Sequence, residues 1–484
     1  MISAEAYMRL LKTVTVLLIL FSFQIGASAF AGSLKTADSN TLSASYTWIS
    51  GSNKTNQPGS YGVKGIPSPQ NVPSSRYLST SWTDSSGYLW LFGGLDYRWT
   101  STANIVYSND LWRYDPRANE WTWVSGSNTL NQPSVYGIQG VASPTNIPGA
   151  RSDVCRWVDS SGSLWLFGGS GYNGTLNDLW KYNPSTNEWT WIHGSNTNGQ
   201  PGVYGRQGAA SPTNVPGARS GSVSWTDSLG NLWLFGGWGT TTTALQYGSL
   251  NDLWKYDPNT NQWTWMSGSD TTAQNGSYGT KGVASSTNGP GARQNSISWT
   301  DSAGNLWLFG GIGYGYMMNG NLGYLNDLWK YDTHSSKWTW ISGSNTINQP
   351  GVYGTQGLGS PKNVPGGRRY SVSWTDSLGN FWLLGGSGYA TANSAGALND
   401  LWKYDPRTNE WTWTSGSLYA NAGGVYGTQG LSSPTNIAGA RYGSISWIDS
   451  YNNVWLFGGE LPNPPIGHVS FLNDLWKINI TSTL

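Results

Sequence analysis

Residues able to do chemistry are few in this chain of 484 residues. One cysteine, Cys155, can form neither an intrachain disulfide nor a thiolate metal site. Glu460 and His468 lie within nine residues of each other, and they are our candidate catalytic residues. General acid–base catalysis needs a carboxylate or an imidazole within hydrogen-bond reach of the transferred proton. The sequence predicts no metal site and no cofactor.

Aromatic residues are the second kind of candidate, at 14% of the chain. Several stand among Gly, Ser, Thr and Asn in segments of variable length, a composition typical of adaptable binding surfaces. Their faces could stack on sugar rings, or they could simply cover the elements beneath them. The candidate binding residues of this kind are Tyr97, Trp99, Tyr172, Trp238, Tyr247, Tyr314, Tyr316, Tyr324 and Tyr389.

Six arginines at one repeated position form the third set of candidates. They are Arg76, Arg151, Arg219, Arg293, Arg368 and Arg441. Guanidinium groups could ring a channel mouth and bind carboxylates or sulfates. Six unpaired cations would repel one another, so we favour bonds to the neighbouring backbone or to a recurring aspartate.

A tyrosine and an aspartate recur just as strictly. The tyrosines are Tyr61, Tyr136, Tyr204, Tyr278, Tyr353 and Tyr426. The aspartates are Asp84, Asp159, Asp227, Asp301, Asp376 and Asp449. Strict recurrence favours packing for the tyrosines, and the aspartates are interpreted as turn formers.

Overall charge excludes one class of partner. The chain has 26 Lys and Arg against 25 Asp and Glu, a net charge of +1. Nucleic-acid binding needs clustered basic residues, so we expect no nucleic-acid partner. The high aromatic content also argues against disorder.

The first 31 residues read as a secretory signal peptide. Arg9 and Lys12 precede an apolar run over 14–23, and small residues follow at 27–31. The run is shorter than the roughly 20 residues that span a bilayer, although an uncut anchor is the alternative. We expect an exported protein with no membrane span, beginning near Gly32 with a linker over 32–44 and placed outside the cell, in the periplasm or on the cell surface.

Six repeats fill the rest of the chain. The string LFGG, once LLGG, places its first glycine at 93, 168, 236, 310, 385 and 458. The spacings are 75, 68, 74, 75 and 73, and the loop after each GG holds 13, 6, 12, 13 and 11 residues, so the remainder is 62 every time. One loop varies freely, while a long insert is held to a fixed length. We therefore expect the insert to be ordered and packed against the body.

Each repeat reads as four strands. In the third repeat these are Arg219 to Trp225, the apolar run at 232–235, the run at 253–256 and the WTW segment at 263–265. The 2–3 loops and the inserts should emerge on one face, which we take as the binding face because loops on a rigid scaffold carry function. The second repeat departs from the others on its first strand, with Asp153, Cys155 and Arg156.

The two ends of the repeat array predict how it closes. The sixth repeat lacks its WTW strand after residues 475–478, and residues 46–48 supply a WTW strand with no repeat before it. Pairing them would remove open sheet edges. The predicted fold is all-β, a six-bladed β-propeller over 45–484 with four-stranded blades, closed by the N-terminal strand 46–48. The predicted blades are 76–124, 151–192, 219–266, 293–341, 368–414 and 441–478.

The pattern LFGG…LNDLWKYDP…WTW resembles the kelch motif in all six repeats. The resemblance implies a kelch-type β-propeller, related in fold to the propeller of galactose oxidase, but it does not imply one function. The copper site of that enzyme needs histidines, and the three here, His193, His334 and His468, fall at different places in different repeats. The long fixed insert departs from ordinary kelch repeats.

These features lead to three hypotheses. The first is an exported, monomeric binding protein that presents aromatic and Gly-rich loops to a glycan or an extracellular protein. The second is a sugar-acting enzyme, of epimerase, mutarotase or hydrolase type, with its site at the channel mouth. It is suggested by N-acetylneuraminate epimerase, a secreted kelch protein with acid–base chemistry on a sugar. The third is a structural envelope protein.

Overall fold

The computed structural model describes residues 41–97, 106–316, 321–462 and 469–483. Within these ranges the regular structure is β-strand, with 32 strands and no helix. Residues 43–481 form one compact unit.

The strands follow the repeats. The N-terminal strand is β1 (Thr41–Ser50). The first repeat contains β2 (Arg76–Tyr77), β3 (Thr80–Thr83), β4 (Leu89–Asp96), β5 (Tyr107–Asp115) and β6 (Glu120–Ser125). The second contains β7 (Arg151–Ser152), β8 (Cys155–Val158), β9 (Leu164–Gly171), β10 (Gly174–Asn183) and β11 (Glu188–His193). The third contains β12 (Ala210–Ser211), β13 (Arg219–Ser220), β14 (Val223–Thr226), β15 (Leu232–Thr240), β16 (Tyr247–Asp257) and β17 (Gln262–Ser267).

The later repeats follow the same plan. The fourth contains β18 (Arg293–Gln294), β19 (Ile297–Thr300), β20 (Leu306–Phe309), β21 (Ile312–Gly313), β22 (Gly323–Tyr324), β23 (Leu328–Asp332) and β24 (Lys337–Ser342). The fifth contains β25 (Arg368–Arg369), β26 (Val372–Thr375), β27 (Phe381–Tyr389), β28 (Ala395–Asp405) and β29 (Glu410–Ser415). The sixth contains β30 (Ile445–Ile448), β31 (Val454–Glu460) and β32 (Phe471–Thr483).

Antiparallel pairing joins the strands within each repeat. The described strands form seven sheets, because those of the fourth repeat are divided between two. The apolar second strand lies in the middle of each set; in the third repeat Leu234 is paired with Ser224 on one side and Trp254 on the other. A strand buried on both faces reads as a continuous apolar run, which is what the sequence shows there.

The first strand of most repeats is divided, where the sequence predicted one continuous strand. In the third repeat β13 ends at Ser220 and β14 starts at Val223. Gly221 lies between them with φ of 65°, in the left-handed region that interrupts a strand. The same position is left-handed in all six repeats, at Leu78, Asp153, Gly221, Asn295, Tyr370 and Gly443.

The two ends of the repeat array meet in one sheet, in the order β1-β32-β31-β30. Both end strands are longer than the segments 46–48 and 475–478 singled out in the sequence. The innermost strands also contact one another in succession, in the order β3, β8, β14, β19, β26, β30, and β30 in turn contacts β3.

The fixed-length inserts cover sheet edges, which confirms that they are ordered. The backbone N–H of Gly208 donates to the carbonyl of Trp265 at 2.8 Å, and Ala210–Ser211 is paired with the strand that contains Trp263. Each insert reaches the WTW strand of the following repeat in this way, and Gly430 of the last insert donates to Trp48 of β1. Covering an edge prevents pairing with another chain. The fixed length of the insert agrees with this contact, which recurs at the same position in every insert.

The core lies between neighbouring sheets. One cluster joins Trp165 of the second repeat to Trp254 and Trp263 of the third, and another joins Trp112 of the first to Trp455 of the sixth. Among the described residues the largest fully buried side chains are all tryptophans. Such rings bury the most apolar area per residue.

Candidate functional site

The six recurring arginines lie in buried ion pairs. Arg219 Nη1 and Nη2 donate to the two oxygens of Asp252, each at 2.7 Å, and Arg219 is 1% exposed. The other five make the same two-pronged contact with the aspartate of the NDLW segment: Asp110, Asp178, Asp327, Asp400 and Asp474. Burial disfavours the charge of Arg219, but the Asp252 carboxylate more than offsets this and raises the pKa of Arg219 above its ordinary value.

Two more side chains complete each ion pair. The hydroxyl of Tyr204 donates to Asp252 at 2.7 Å, and so does the indole N–H of Trp254, also at 2.7 Å. The recurring tyrosine of every insert makes the equivalent bond. Each insert is thereby attached to the body through a buried carboxylate. We name these six groups of Arg, Asp, Tyr and Trp the buried polar clusters.

The six recurring arginines, predicted from the sequence as candidate binding residues, are not available to a ligand. Their guanidinium groups are consumed by aspartate and by the backbone, and each arginine is at most 4% exposed. A ligand arriving from solvent cannot reach them. The recurring tyrosines hold the insert, as the strict recurrence indicated.

The recurring aspartates of the first hairpin form turns. Asp227 Oδ1 accepts the backbone N–H groups of Leu229 and Asn231, at 3.0 and 2.9 Å. Its other oxygen accepts the indole N–H of Trp233 at 2.8 Å. The interpretation as turn formers is confirmed, and the structure adds that each aspartate also anchors a core tryptophan.

The innermost strands of all six repeats line a cavity of about 530 Å³. The six left-handed residues lie at one end of it and are joined head to tail by backbone hydrogen bonds of 2.7–3.1 Å. The donor and acceptor pairs are Leu78 to Gly443, Gly443 to Tyr370, Tyr370 to Asn295, Asn295 to Gly221, Gly221 to Asp153 and Asp153 to Leu78. We name this the amide ring. Because β13 is paired with the last residues of β15, just before the variable loop, the amide ring lies at the loop end of the cavity.

Side chains cross the amide ring where it contains glycine. Asn295 Nδ2 donates to both oxygens of Asp153, at 3.2 and 3.0 Å. They meet over Gly221, where an added Cβ would lie 2.4 Å from Asn295 Nδ2. The aromatic ring of Tyr77 covers Gly443 in the same way. The two glycines leave the space that these crossings need.

A group of polar and aromatic side chains surrounds the amide ring. The rings of Tyr370 and Tyr442 each lie 5.7 Å from that of Tyr77, edge to face. The guanidinium carbon of Arg369 lies 4.9 Å from the Tyr370 ring centre. Glu460 is half-buried, and its backbone is paired with that of Tyr442. We name this set the mouth cluster: Tyr77, Asp153, Asn295, Arg369, Tyr370, Tyr442 and Glu460.

The pKa values of both carboxyl groups in the mouth cluster are raised. Burial raises the pKa of Asp153 to about 6, against the opposing effects of Asn295 and Arg369. Burial also raises the pKa of Glu460, against Tyr442 and Arg369. Carboxyl groups with raised pKa values in a cleft are candidates for a functional site.

The structure describes one of the two catalytic candidates from the sequence. Glu460 belongs to the mouth cluster, whereas His468 lies outside the described residues.

Cys155 is 4% exposed, its Sγ donates to the carbonyl of Ser222 at 3.4 Å, and burial raises its pKa to about 12. A thiol in that state is not a nucleophile. Arg156 stands in the cavity wall, where the other five repeats have serine.

The predicted aromatic residues divide into exposed and half-buried sets. Tyr172, Trp238, Tyr247 and Tyr316 are between 36% and 56% exposed. Trp238 and Tyr247 lie edge to face at 5.7 Å, and the hydroxyl of Tyr247 donates to Thr175 of the second repeat at 2.8 Å. We name Trp238 and Tyr247 the aromatic patch. The half-buried set is Tyr97, Tyr314, Tyr324 and Tyr389; Trp99 lies outside the described residues.

Sequence reasoning missed most of the mouth cluster. It noted Asp153 and Glu460 but did not single out Tyr77, Asn295, Arg369, Tyr370 and Tyr442. A signal was available in the two positions after each recurring arginine. The six repeats read Tyr-Leu, Ser-Asp, Ser-Gly, Gln-Asn, Arg-Tyr and Tyr-Gly there, although the residues around them are nearly constant.

The sheets and the repeated motif together define a class of protein. A family model described as the Kelch motif matches residues 160–190. This match and the antiparallel sheets fit a kelch-repeat β-propeller. The Kelch motif is typical of propellers that mediate protein interactions. A search of curated proteins found no match.

Over the ranges given above, no helix is long and apolar enough to cross a lipid bilayer. Among the same residues, no group of three His, Cys, Asp or Glu side chains is placed to hold a metal ion.

Proposed function

We propose that this protein is an exported, six-bladed kelch propeller, closed by its N-terminal strand, that binds a protein partner through its loop face. The amide ring supports the number of blades and the closure, because its six hydrogen bonds pass through every repeat and return to the first. The sheet order β1-β32-β31-β30 supports the role of the N-terminal strand. The apolar run at 14–23 supports export.

The observation that carries the proposed binding role is the aromatic patch. Trp238 and Tyr247 lie on the loop side of the third repeat, fixed to each other and to Thr175, yet 36% and 41% exposed. Pre-ordered Trp and Tyr are enriched at the energetic centres of protein interfaces, because they contribute large area at low entropic cost. The opposite side of each repeat has only short hairpin turns.

Site-specific photo-crosslinking tests this proposal. A photoreactive residue at position 247 should capture a discrete protein from the exported fraction of the source cells, and one at position 451 should not. Tyr451 is a matched control, because it is a tyrosine, 81% exposed, on a hairpin turn of the other side. Equal capture at both positions would contradict a binding role for the loop face.

Further outcomes separate the remaining hypotheses. Capture of a polysaccharide, lost on Trp238→Ala, would indicate a glycan partner. Concentration-dependent self-association without any captured partner would support the structural envelope protein. Export is tested separately, since mass spectrometry of the mature protein should show a chain beginning near Gly32.

A sugar-acting enzyme is the second candidate function, favoured by the raised pKa of Glu460 next to Tyr442. A half-buried carboxyl group with a raised pKa is a candidate general acid or base. Turnover of any sugar in a substrate panel, abolished by Glu460→Gln, would establish this function. No turnover by the wild-type protein would leave binding as the function.

A further inference from the structure

Arg369 differs from the six recurring arginines of the inner strands. The six arginines of the buried polar clusters each have an aspartate partner. Arg369 has no ion pair with any described residue, and its Nε atom is buried without a hydrogen-bond acceptor there. A buried donor left unpaired costs about 1–3 kcal/mol, and more when it is charged.

Aromatic rings hold the guanidinium of Arg369 in place. It lies over Tyr370 at 4.9 Å and over Tyr324 at 5.9 Å. These cation–π contacts fix the plane of the group without using its N–H donors. Arg369 is only half-buried, so an anion can reach the terminal N–H donors of its guanidinium.

A second unsatisfied atom lies in the same cluster. Asn295 is 6% exposed, and its Oδ1 has no hydrogen-bond donor among the described residues. Its Nδ2 is committed to Asp153, which fixes the direction of the amide. Arg369 is close enough to lower the pKa of that same Asp153, against the larger effect of burial. The backbone N–H of Tyr370, the residue after Arg369, donates to the carbonyl of Asn295 at 3.1 Å. The mouth cluster thus holds a cationic donor and a neutral acceptor on neighbouring inner strands, each without a partner among the described residues.

We propose that the mouth cluster binds a small hydroxy acid, with its carboxylate on Arg369 and a hydroxyl donated to Asn295 Oδ1. A carboxylate supplies the acceptors that the guanidinium lacks, and a hydroxyl supplies the donor that the amide oxygen lacks. A neutral sugar would leave Arg369 unpaired, and a simple carboxylate would leave Asn295 unpaired. The site is separate from the aromatic patch and does not depend on a macromolecular partner.

The two carboxyl groups of the mouth cluster give the site a pH dependence. Ionised Asp153 and Glu460 repel an anion, and both have raised pKa values, so protonation removes the repulsion as pH falls toward 5. The other titratable groups that face Arg369 or Asp153 are Tyr77, Tyr107, Cys155, Tyr324, Tyr370 and Tyr442. Burial raises the pKa values of five of these groups, Tyr77, Tyr107, Cys155, Tyr370 and Tyr442, so they stay neutral over this range. Anion binding should tighten between pH 7.5 and 5.5.

Titration calorimetry of the full-length mature protein with D-gluconate tests the proposal. We expect saturable binding at pH 5.5 that is weaker at pH 7.5. D-glucose and acetate, which each lack one of the two groups, should bind at least about ten-fold more weakly, a difference of about 1.4 kcal/mol. If D-glucose bound as tightly as D-gluconate, the proposed role of Arg369 would be overturned.

Variants locate the site. Arg369→Met should weaken gluconate binding at least about ten-fold, the size of one lost charged contact, and Arg369→Lys should restore part of it. Arg407→Met is the matched control, because Arg407 is exposed and already paired with Asp405; its affinity should equal that of the wild-type protein. Unchanged affinity in Arg369→Met, with the same unfolding midpoint as the wild type, would overturn the proposal. Absence of gluconate binding at any pH would also overturn it.

Discussion

The buried polar clusters and the mouth cluster lie a few residues apart and use charge in opposite ways. In the former, Arg219 and Asp252 satisfy each other, and the arrangement is repeated six times with distances that vary by about 0.1 Å between the atoms of each pair. In the latter, Arg369 and Asp153 each stand in a single repeat and form no ion pair with any residue that the structure describes. The repeated ion pairs support the scaffold, whereas the unpaired guanidinium of Arg369 marks a place where a ligand can supply a partner.

The largest effect is expected from breaking a buried polar cluster. Arg219→Met leaves the Asp252 carboxylate buried without its cation. Removal of one partner of such a pair typically destabilises a protein by about 3–5 kcal/mol. Urea unfolding should show a correspondingly lower midpoint. A change below about 1 kcal/mol would mean that the cluster is not structural.

In the mouth cluster, the contribution of Asp153 to the stability of the protein should depend on pH. The pKa of Asp153 is raised to about 6 in the folded protein, from 3.8. The folded state therefore binds the proton more tightly, so this group stabilises the protein below about pH 4, and that stabilisation is lost as pH rises through 6.

Asp153→Asn removes this dependence. Relative to wild type, the variant should gain stability between pH 4 and pH 7, by at most about 3 kcal/mol. Unfolding midpoints of both proteins, measured at the two pH values, give the difference. A constant difference between the proteins would show that Asp153 ionises normally.

A smaller loss is expected at the hairpin turns. Asp301→Ala removes the acceptor of two backbone N–H groups and of the Trp307 indole N–H. Such bonds contribute about 0.5–1.5 kcal/mol each, and water can replace part of this at a surface turn, so a loss of about 1–2 kcal/mol is expected. Thermal unfolding measures it, and Asp301→Asn should recover part of the loss.

No change in stability is expected when an exposed ion pair is broken. This is the smallest effect in the comparison between buried and exposed charges. Arg117 pairs with Asp115 at 2.9 Å but is 62% exposed. Surface pairs of this kind contribute little. The unfolding midpoint of Arg117→Ala should match that of the wild type in low and high salt; a clear loss would show that surface charge supports the scaffold as well.

Much of the scaffold could be predicted because the repeats make its constraints visible. The constant remainder of 62 residues indicated an ordered insert, and the insert indeed covers the edge strand next to Trp263. The left-handed backbone conformation in the amide ring could not be predicted, because Leu and Tyr, found here as Leu78 and Tyr370, rarely adopt φ near 55°. They adopt it because the amide ring on either side fixes their backbone.

The candidate site was harder to predict than the fold. The strict recurrence of the six arginines made them candidate binding residues, but that recurrence reflects a structural role in the buried polar clusters. Arg369 and Asn295 are ordinary in sequence and become notable only when their partners are known. Partnership across more than 140 residues, as between Asp153 and Asn295, depends on how the repeats are arranged in space.

Arg219 supports the fold, whereas Arg369 binds a ligand. One paired measurement tests this contrast directly. The unfolding midpoint and the gluconate affinity are measured for Arg219→Met and Arg369→Met under the same conditions. We expect Arg219→Met to lose about 3–5 kcal/mol of stability, and Arg369→Met to keep its stability and lose gluconate binding. Equal destabilisation by the two substitutions, with gluconate binding intact in Arg369→Met, would contradict the account.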